Sequence, residues 1–448
     1  MVRPAAAEDA ATPFRGRPVM TPPPPEWLVV RAARLLDVSA APPVLLPTVV
    51  VHRGIIHGVH AGRTSGRDWP PDASVLDLAG HTLVPGLIDA HVHLTLPGDG
   101  TPFERTVLEP DGTQLALAYH NAETALRAGI TTLRDCGSTR STSLDLRRAR
   151  QLGCAGLPRL HVCGCPITMT GGHCRYFGGE ADGPDGMRQM VRRLVRAGVD
   201  FIKIMTSGGG TVGTVSSRPS YTAAELRAAV EEAHRLGGRT GIHCTCAAAT
   251  RNAVAAGTDH IEHALFLTDE AGHQRFEPDV ADAVARTATV TGTLCVGYYV
   301  VDALARRIGG ASGRLEDRAT LERYHRMNEA KMDNVRRMRS AGVRYVAGTD
   351  AGWRFTPFDA LARQIELLAE AGFSPGDAIA AATSGAASVL GIEHETGTLR
   401  AGLAADMIAV PGDPLADLTL LRRPAMVMLG GGLVAGGERA PQMHSVIT

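Results

Sequence analysis

The sequence predicts an α/β fold: a (β/α)8 TIM barrel with a small β-sandwich domain built from both chain ends. From residue 85 onward, short apolar runs alternate with helix-length amphipathic segments, and eight such runs can be counted. Polar residues recur at the carboxyl ends of many of these runs, where a barrel gathers its active site. A doubly wound open sheet is the alternative, but it would place its chemistry at a single switch point.

The first 26 residues precede this pattern. They are rich in proline and alanine, with consecutive prolines at 22–25, and they lack the apolar core of a signal peptide. Such a composition predicts a disordered or extended arm over residues 1–26.

Both chain ends carry short strand-like runs. These runs are bounded by proline, glycine and aspartate and lie at residues 28–30, 48–51, 54–59, 397–399, 406–410 and 425–429. We therefore predict one small β-sandwich domain from residues 27–84 and 397–448. Between these two parts, the chain forms the predicted barrel domain at residues 85–396.

Eight predicted strands and the helices between them fill the barrel domain. The strands cover residues 87–94, 130–137, 159–167, 201–208, 239–246, 259–266, 288–297 and 344–352. The clearest helical patterns cover residues 112–128, 186–197, 222–236, 315–340, 360–371 and 375–390. Thr222 followed by Glu225 is a capping-box signature, which predicts a helix start. The long pattern at 315–340 is a candidate lid or subunit interface.

Composition excludes several classes of function. The 46 basic and 46 acidic residues balance, and no lysine- or arginine-rich block is long enough for a nucleic-acid footprint. No apolar run reaches membrane-spanning length. We expect a cytoplasmic homo-oligomer that acts on a small-molecule or peptide substrate, with no nucleic-acid or membrane partner.

The motif that organises the chain is a pair of histidines, His91 and His93, at the end of the first predicted strand. Because side chains alternate along a strand, both imidazoles point to the same side. Two neighbouring imidazoles make half of a metal site. Two unrelated polar residues near a strand end would be the alternative interpretation.

Other strand ends supply the rest of a candidate site. Strands four, five, six and eight carry Lys203, His243, His263 and Asp350. With Lys203 pointing inward, Ile202 and Ile204 face the helices, as apolar residues should. An inward His263 fits the alternation less well, because the same alternation sends two polar side chains, His260 and Glu262, outward.

A lysine beside metal ions needs an explanation, because an ammonium repels cations. A neutral lysine can react with CO2 to give a carbamate, which is an anionic ligand able to bridge two metals. Lys203 paired with an acidic residue is the alternative interpretation.

The pattern His-x-His, Lys, His, His and Asp on these strands resembles the amidohydrolase superfamily. The matching stretches are VPGLIDAHVH (84–93), FIKI (201–204), GTDHIEH (257–263), AGTDAG (347–352) and GLAADMIAV (402–410). The resemblance spans almost everything after residue 27. TGGH (170–173) and YTAAEL (221–226) are similar to the imidazolonepropionase-like and prolidase-like branch.

The resemblance implies a binuclear metal site, usually with zinc. One metal would be held by His91, His93 and Asp350, the other by His243 and His263, with carboxylated Lys203 between them. We expect one or two Zn²⁺ per chain, and Mn²⁺ or Co²⁺ can use the same ligand types. Asp350 is also the expected catalytic base, which takes a proton from the metal-activated water and passes it to the leaving nitrogen.

Five further residues are candidates for the substrate site. His173, in a glycine-rich loop after strand three, is expected to hydrogen-bond the substrate carbonyl or a carboxylate, and a solvent-exposed histidine is the alternative. Tyr221 resembles a carboxylate contact of the branch. Arg218 and Arg175 suit a bidentate carboxylate clamp, and solvated surface residues are the alternative interpretation for both. Thr245 stands where relatives of the branch often carry a second histidine, so substrate contacts there are expected to differ.

The resemblance implies hydrolysis of an amide C–N bond, of the dipeptidase or N-acyl amino acid amidase type. One alternative is a pathway-specific enzyme that trims a modified natural-product peptide, like the peptide-tailoring amidohydrolases of bottromycin-type pathways. Another is hydrolysis of a cyclic amide, as in imidazolonepropionase. A scaffold without turnover is disfavoured, because all six metal-site positions are present.

Overall fold

A computed structural model describes residues 24–38, 42–62, 68–309, 315–434 and 444–445 of the chain. The arm predicted at residues 1–26 therefore lies outside the described residues up to residue 23. Most of the chain after residue 434 also lies outside them.

The described chain begins with six strands, and helices then separate the next seven strands from one another. The strands are β1 (Trp27–Leu35), β2 (Val44–Leu45), β3 (Thr48–His52), β4 (Ile55–His60), β5 (Ser74–Pro85), β6 (Leu87–Val92), β7 (Ile130–Asp135), β8 (Arg159–Val162), β9 (Phe201–Met205), β10 (Arg239–His243), β11 (His260–Glu262), β12 (Thr289–Thr291), β13 (Arg344–Val346), β14 (Met407–Pro411), β15 (Met426–Leu429), β16 (Gly432–Leu433) and β17 (His444–Ser445). The α-helices are α1 (Phe103–Thr106), α2 (Asp111–Arg127), α3 (Thr142–Gln151), α4 (Gly183–Ala197), α5 (Ala223–Arg235), α6 (Ala247–Ala256), α7 (Pro278–Thr287), α8 (Cys295–Gly309), α9 (Leu315–Ser340), α10 (Leu361–Glu370), α11 (Pro375–Ala381) and α12 (Ser384–Leu390). Short 3₁₀ helices lie at Arg175–Phe177 and Leu418–Arg422.

Parallel strands carry the central part of the described chain. They form a three-stranded sheet in the order β6-β7-β8 and a five-stranded sheet in the order β13-β12-β11-β10-β9. Neighbouring strands run parallel in both sheets, so the predicted α/β class is confirmed. Each predicted strand of this region is present but ends earlier than predicted, because the polar residues at its carboxyl end already belong to a loop.

Backbone hydrogen bonds also connect the two parallel sheets to each other. The amide of Ile167, which follows β8, donates to the carbonyl of Lys203 in β9 at 2.8 Å. The amide of Asp350, which follows β13, donates to the carbonyl of His91 in β6 at 2.7 Å. The carboxyl ends of strands from both sheets are therefore neighbours.

Strands from both chain ends join in one further sheet. Its order is β16-β15-β14-β5-β1-β3-β4, with β2 beside β1 and β17 beside β5. The long strand β5 pairs in parallel with β1 and antiparallel with β14. An apolar cluster of its own, which includes Leu28, Val49, Leu76 and Met407, stabilises this region.

Three local predictions have different outcomes. The strand predicted at 397–399 is wrong: Gly397 has φ +97°, and a Cβ there would lie 2.5 Å from Ala387 of α12, so the segment packs against that helix as a bend. The helix predicted at 375–390 is divided into α11 and α12 by Thr383, whose ψ is −101°. The capping box of Thr222 and Glu225 is present at the start of α5.

Within the described ranges, the helices are too short or too polar to cross a lipid bilayer.

Candidate active site

The polar residues predicted at the strand ends line one cavity of about 250 Å³. This cavity lies where the carboxyl ends of the parallel strands meet. The predicted metal ligands on its wall are His91, His93, Lys203, His243, His263 and Asp350.

The imidazoles and the carboxylate of this set are close together. The Nε2 atoms of His91 and His93 lie 3.4 and 3.2 Å from Oδ1 of Asp350. Ligand atoms of His91, His263 and Asp350 all lie within 4.8 Å of one another. The rings of His243 and His263 have centroids 4.7 Å apart, which extends the group across the cavity.

Each of these four imidazoles uses one ring nitrogen for a contact to the surrounding protein. The contacts are His91 Nδ1 to Glu262 Oε2 at 2.8 Å, His93 Nδ1 to the Gly137 carbonyl at 3.0 Å, His243 Nε2 to the Gly208 carbonyl at 3.1 Å, and His263 Nδ1 to Thr293 Oγ1 at 2.8 Å. The second nitrogens of His91 and His93 are the Nε2 atoms that face Asp350. Imidazoles that bind metals are oriented by such contacts on the opposite nitrogen.

Lys203 lies in the middle of β9 and is completely buried. Its neighbours Ile202 and Ile204 belong to the apolar cluster between strands and helices, so the lysine faces the cavity as predicted. Its Nζ atom has no hydrogen-bond partner among the described residues, and Oε1 of Glu262 is 3.8 Å away. A buried polar atom normally has a partner, so a carbamate coordinated to metal fits this position.

Glu262 points into the site, and the prediction that it faces outward is wrong. Its Oε1 accepts a hydrogen bond from Arg134 Nη1 at 2.8 Å, and the side chain is fully buried. The following residue, His263, has a left-handed backbone with φ 68°, which ends the alternation of the strand. His263 therefore lines the cavity, while Glu262 lies behind His91 and contacts its Nδ1. Arg134 balances the charge of the Glu262 carboxylate.

Asp89 links β6 to the loop that carries Asp350. Its Oδ1 accepts hydrogen bonds from the amides of His91 and Thr349, and its Oδ2 accepts one from the hydroxyl of Thr349 at 2.6 Å. Because Thr349 directly precedes Asp350, these bonds fix the position of Asp350 relative to β6.

Burial sets the protonation of the site. It lowers the pKa of His91 to about 4 and that of His243 to about 3, and nearby Lys203 acts in the same direction. Burial would raise the pKa of Asp350, but the neighbouring His91 and His93 hold it below its usual range. Neutral imidazoles and an ionised carboxylate are the forms that bind metals.

His173 also lines the cavity, and its side chain is buried, so the alternative of a solvent-exposed histidine is wrong. Its Nδ1 is 2.8 Å from Thr211 Oγ1, and its ring centroid is 4.8 Å from that of His243. A Cβ at Gly209 would lie 2.4 Å from His173 Nε2, so glycine there leaves space beside this nitrogen.

The predicted substrate contacts divide into two groups. Thr245 lines the cavity, and its hydroxyl donates to the Ser216 carbonyl at 2.6 Å. Tyr221 is buried elsewhere, with its hydroxyl donating to the Ala181 carbonyl at 2.6 Å. Arg218 is exposed, and Arg175 donates to backbone carbonyls at the protein surface. The structure does not bring these last three side chains to the cavity wall.

One face of α9, which was predicted as a candidate lid or subunit interface, forms a wall of the cavity, but its individual lining residues were not predicted. The residues on this wall are Arg323, Tyr324, Met327, Asn328 and Lys331, and the loop after β13 adds Trp353 and Arg354. Spacings of three and four residues place the α9 side chains on one side of the helix. That spacing indicates a shared helix face in the sequence, but the polar residues on this face are also typical of a helix face exposed to solvent.

Comparisons with known proteins relate this site to a family. The family model described as "Amidohydrolase family" matches residues 82–434. The chain is 26% identical over 396 residues to ochratoxinase from Aspergillus niger, covering 80% of this chain and 77% of that protein. It is 26% identical over 373 residues to an imidazolonepropionase from Rhizorhabdus wittichii, covering 75% and 81%. The solved structure of a Xaa-Pro dipeptidase with bound methionine in the active site matches with a TM-score of 0.77 at 26% identity, covering 92% of this chain and 100% of that one.

Proposed function

The chain belongs to the amidohydrolase family and is a hydrolase acting on carbon–nitrogen bonds, and from this premise we propose that it cleaves the amide bond of a peptide-like substrate by a metal-dependent mechanism. The proposed type is a dipeptidase or an N-acyl amino acid amidase. The observation that carries this proposal is the convergence of four imidazoles, a buried lysine and a carboxylate on one cavity.

The proposed cofactor is Zn²⁺, with Mn²⁺ or Co²⁺ as alternatives. One ion would be held by His91, His93 and Asp350 and a second by His243 and His263, with Lys203 between them. In the carboxylation of Lys203, the neutral Nζ forms a bond to the carbon of CO2 and releases one proton to solvent. The buried Nζ without a hydrogen-bond partner supports this assignment.

A bound divalent metal supplies an acidified water and polarises the scissile carbonyl. The carboxylate of Asp350 accepts a proton and delivers it to the leaving nitrogen. Asp89 and Thr349 hold that carboxylate in place. His173 can donate a hydrogen bond from Nε2 to the substrate carbonyl oxygen, provided that its Nδ1 accepts one from Thr211.

The size of the cavity favours a small substrate. A volume of about 250 Å³ suits a dipeptide or an acylated amino acid. A cyclic amide of similar size is the second candidate, which the similarity to an imidazolonepropionase favours. Trimming of a bottromycin-type modified peptide stays a prediction.

We also propose that the two parallel sheets close into one (β/α)8 barrel at residues 85–396. The backbone bonds from Ile167 to Lys203 and from Asp350 to His91, one at each junction of the sheets, support this closure. Residues 27–84 and 397–448 would form the small β-sandwich domain, which the separate apolar cluster supports. The homo-oligomer stays a prediction.

The test of the function is hydrolysis by the zinc-loaded protein, followed by mass spectrometry. The panel contains dipeptides, N-acyl amino acids, cyclic imides and lactams, and a modified macrocyclic peptide. Release of a free amino acid from the linear amides is the expected result. Hydrolysis of the cyclic amides alone would favour the second candidate. If the metal-loaded protein hydrolysed none of the linear amides, the proposal would be contradicted for all those tested.

A further inference from the structure

Three cationic side chains line the cavity in addition to Lys203. Arg323 and Lys331 come from α9, and Arg354 comes from the loop after β13. The acidic groups in the lining are Asp350, which is one of the predicted ligands and faces the imidazoles, and Glu270, whose Oε1 accepts hydrogen bonds from Ser217 at 3.1 Å. Beyond the metal ligands, the lining is therefore cationic.

Two of these cations have unused hydrogen-bonding capacity. The Nε atoms of Arg323 and Arg354 are buried, and neither has a hydrogen-bond partner in the described part of the chain. Leaving a buried donor unpaired costs free energy, so such donors usually have an acceptor in the functional state. Lys331 differs, because its Nζ donates to the Thr293 carbonyl at 2.6 Å.

The two arginines reach the cavity from different elements. A Cβ at Gly210 would lie 3.5 Å from Arg354 Nη2, and Gly210 follows the glycine beside His173. Arg323 lies near the loop of Gly272, where a Cβ would be 3.2 Å from its Cγ. Both arginines line the same cavity as the imidazoles, so a substrate whose amide lies among the imidazoles shares that cavity with them.

We propose that Arg323 and Arg354 bind a free carboxylate on the amino-acid part of the substrate, and that they determine specificity for substrates with this group. This inference rests on the proposed function and deepens it. A guanidinium binds a carboxylate through two parallel hydrogen bonds, one of which can come from Nε. The preferred substrates are then amides of free amino acids, and peptides blocked as C-terminal amides are poor substrates.

The kinetic test compares free acids with their matched primary amides. Arg323→Gln and Arg354→Gln should each raise KM for the acid by roughly tenfold or more, while kcat changes little and the amide is almost unaffected. Arg323→Lys and Arg354→Lys keep the charge but lose the two-bond geometry, and we expect partial rescue.

Arg326→Gln is the matched control on the same helix. Arg326 is exposed, and its guanidinium donates to the Ala271 carbonyl outside the cavity lining. If KM for this variant rose as much as for Arg323→Gln, the substrate carboxylate would be attracted by the long-range electrostatic field of the basic side chains. The proposed carboxylate site would then be overturned.

A binding measurement separates this inference from the proposed function. Calorimetry on the zinc-loaded protein uses N-acetyl amino acids and their primary amides as probes. Tighter binding of the acids, lost in both glutamine variants but kept in Arg326→Gln, supports the carboxylate site even if no substrate is hydrolysed. Equal affinity for acids and amides, or a preference that survives in both glutamine variants, overturns it.

Discussion

At His263 and Asp350 the backbone is left-handed, with φ values of 68° and 61°. This conformation costs a residue other than glycine about 1–2 kcal/mol. His263 directly follows β11, and Asp350 lies four residues after the end of β13. Both side chains line the cavity. Strained backbone at these two positions is consistent with a functional role.

Asp350→Asn should retain the shape of the site but remove the proton acceptor. We expect kcat to fall roughly 100- to 10,000-fold, the range associated with general acid–base groups. Steady-state kinetics with metal content measured on the same samples is the check. Near-normal turnover with metal still bound would show that another group moves the proton.

Glu262→Gln should destabilise the fold. Arg134 and Glu262 form a buried ion pair at 2.8 Å, with side chains 4% and 0% exposed. Removing one partner of such a pair leaves a buried charge and costs about 3–5 kcal/mol of unfolding free energy. Chemical denaturation of the metal-free protein measures this change.

Asp185→Asn is the control for that experiment. Asp185 is 92% exposed and pairs with Arg188 at 3.3 Å, so its loss should change stability little. Similar stability losses for the two variants would mean that the buried pair has no special importance.

The predictability of single residues depended on the regularity of the backbone. The period of two placed His91 and His93 on the same side correctly, because β6 extends to Val92 and His93 directly follows it. The same rule failed for Glu262, because the left-handed turn at His263 cannot be seen in a period. Tyr221 was selected by resemblance, and its hydroxyl is used by the Ala181 carbonyl.

For helices and loops, the sequence located the elements better than their roles. The bounds of α9 match the predicted helix at 315–340. Its role as a cavity wall was not predictable, because polar residues facing a cavity have the same pattern as polar residues facing water. Only the surrounding strands and loops distinguish the two cases.

Gly209, in the loop between β9 and α5, leaves room for the imidazole of His173. Gly209→Ala would put a methyl group 2.4 Å from Nε2 of His173, so the imidazole or the loop must shift. We expect kcat/KM to fall at least roughly tenfold, as misplacement in active sites commonly causes. The fold should persist, since the loop lies outside the strands.

Gly112→Ala is the matched control for this substitution. A Cβ at Gly112, in α2, meets no atom within 4 Å, and alanine is favoured in helices. Activity should therefore be unchanged. If Gly209→Ala were equally active, the space beside His173 would have no role in turnover.

For the molecule as a whole, removal of metal should reduce both the hydrolytic activity and the free energy of unfolding. Metal that binds only the folded state adds about 2.7 kcal/mol at 100 times its Kd. We therefore expect chelation to lower Tm by several degrees and added Zn²⁺ to restore it. Unchanged Tm and activity after chelation, with metal absent by elemental analysis, would contradict the assigned ligands.

The pairing of the two chain ends in one sheet has a consequence for folding during synthesis. The hydroxyl of Thr82 in β5 donates to the carbonyl of Gly412, 330 positions later in the chain. At the usual pace of translation, that interval takes roughly 15–65 s. Until β14 emerges, one edge of β5 has no partner, and unpaired edges promote aggregation. Chaperone capture of the nascent chain, rather than native stability, would then set the yield of this protein in a cell.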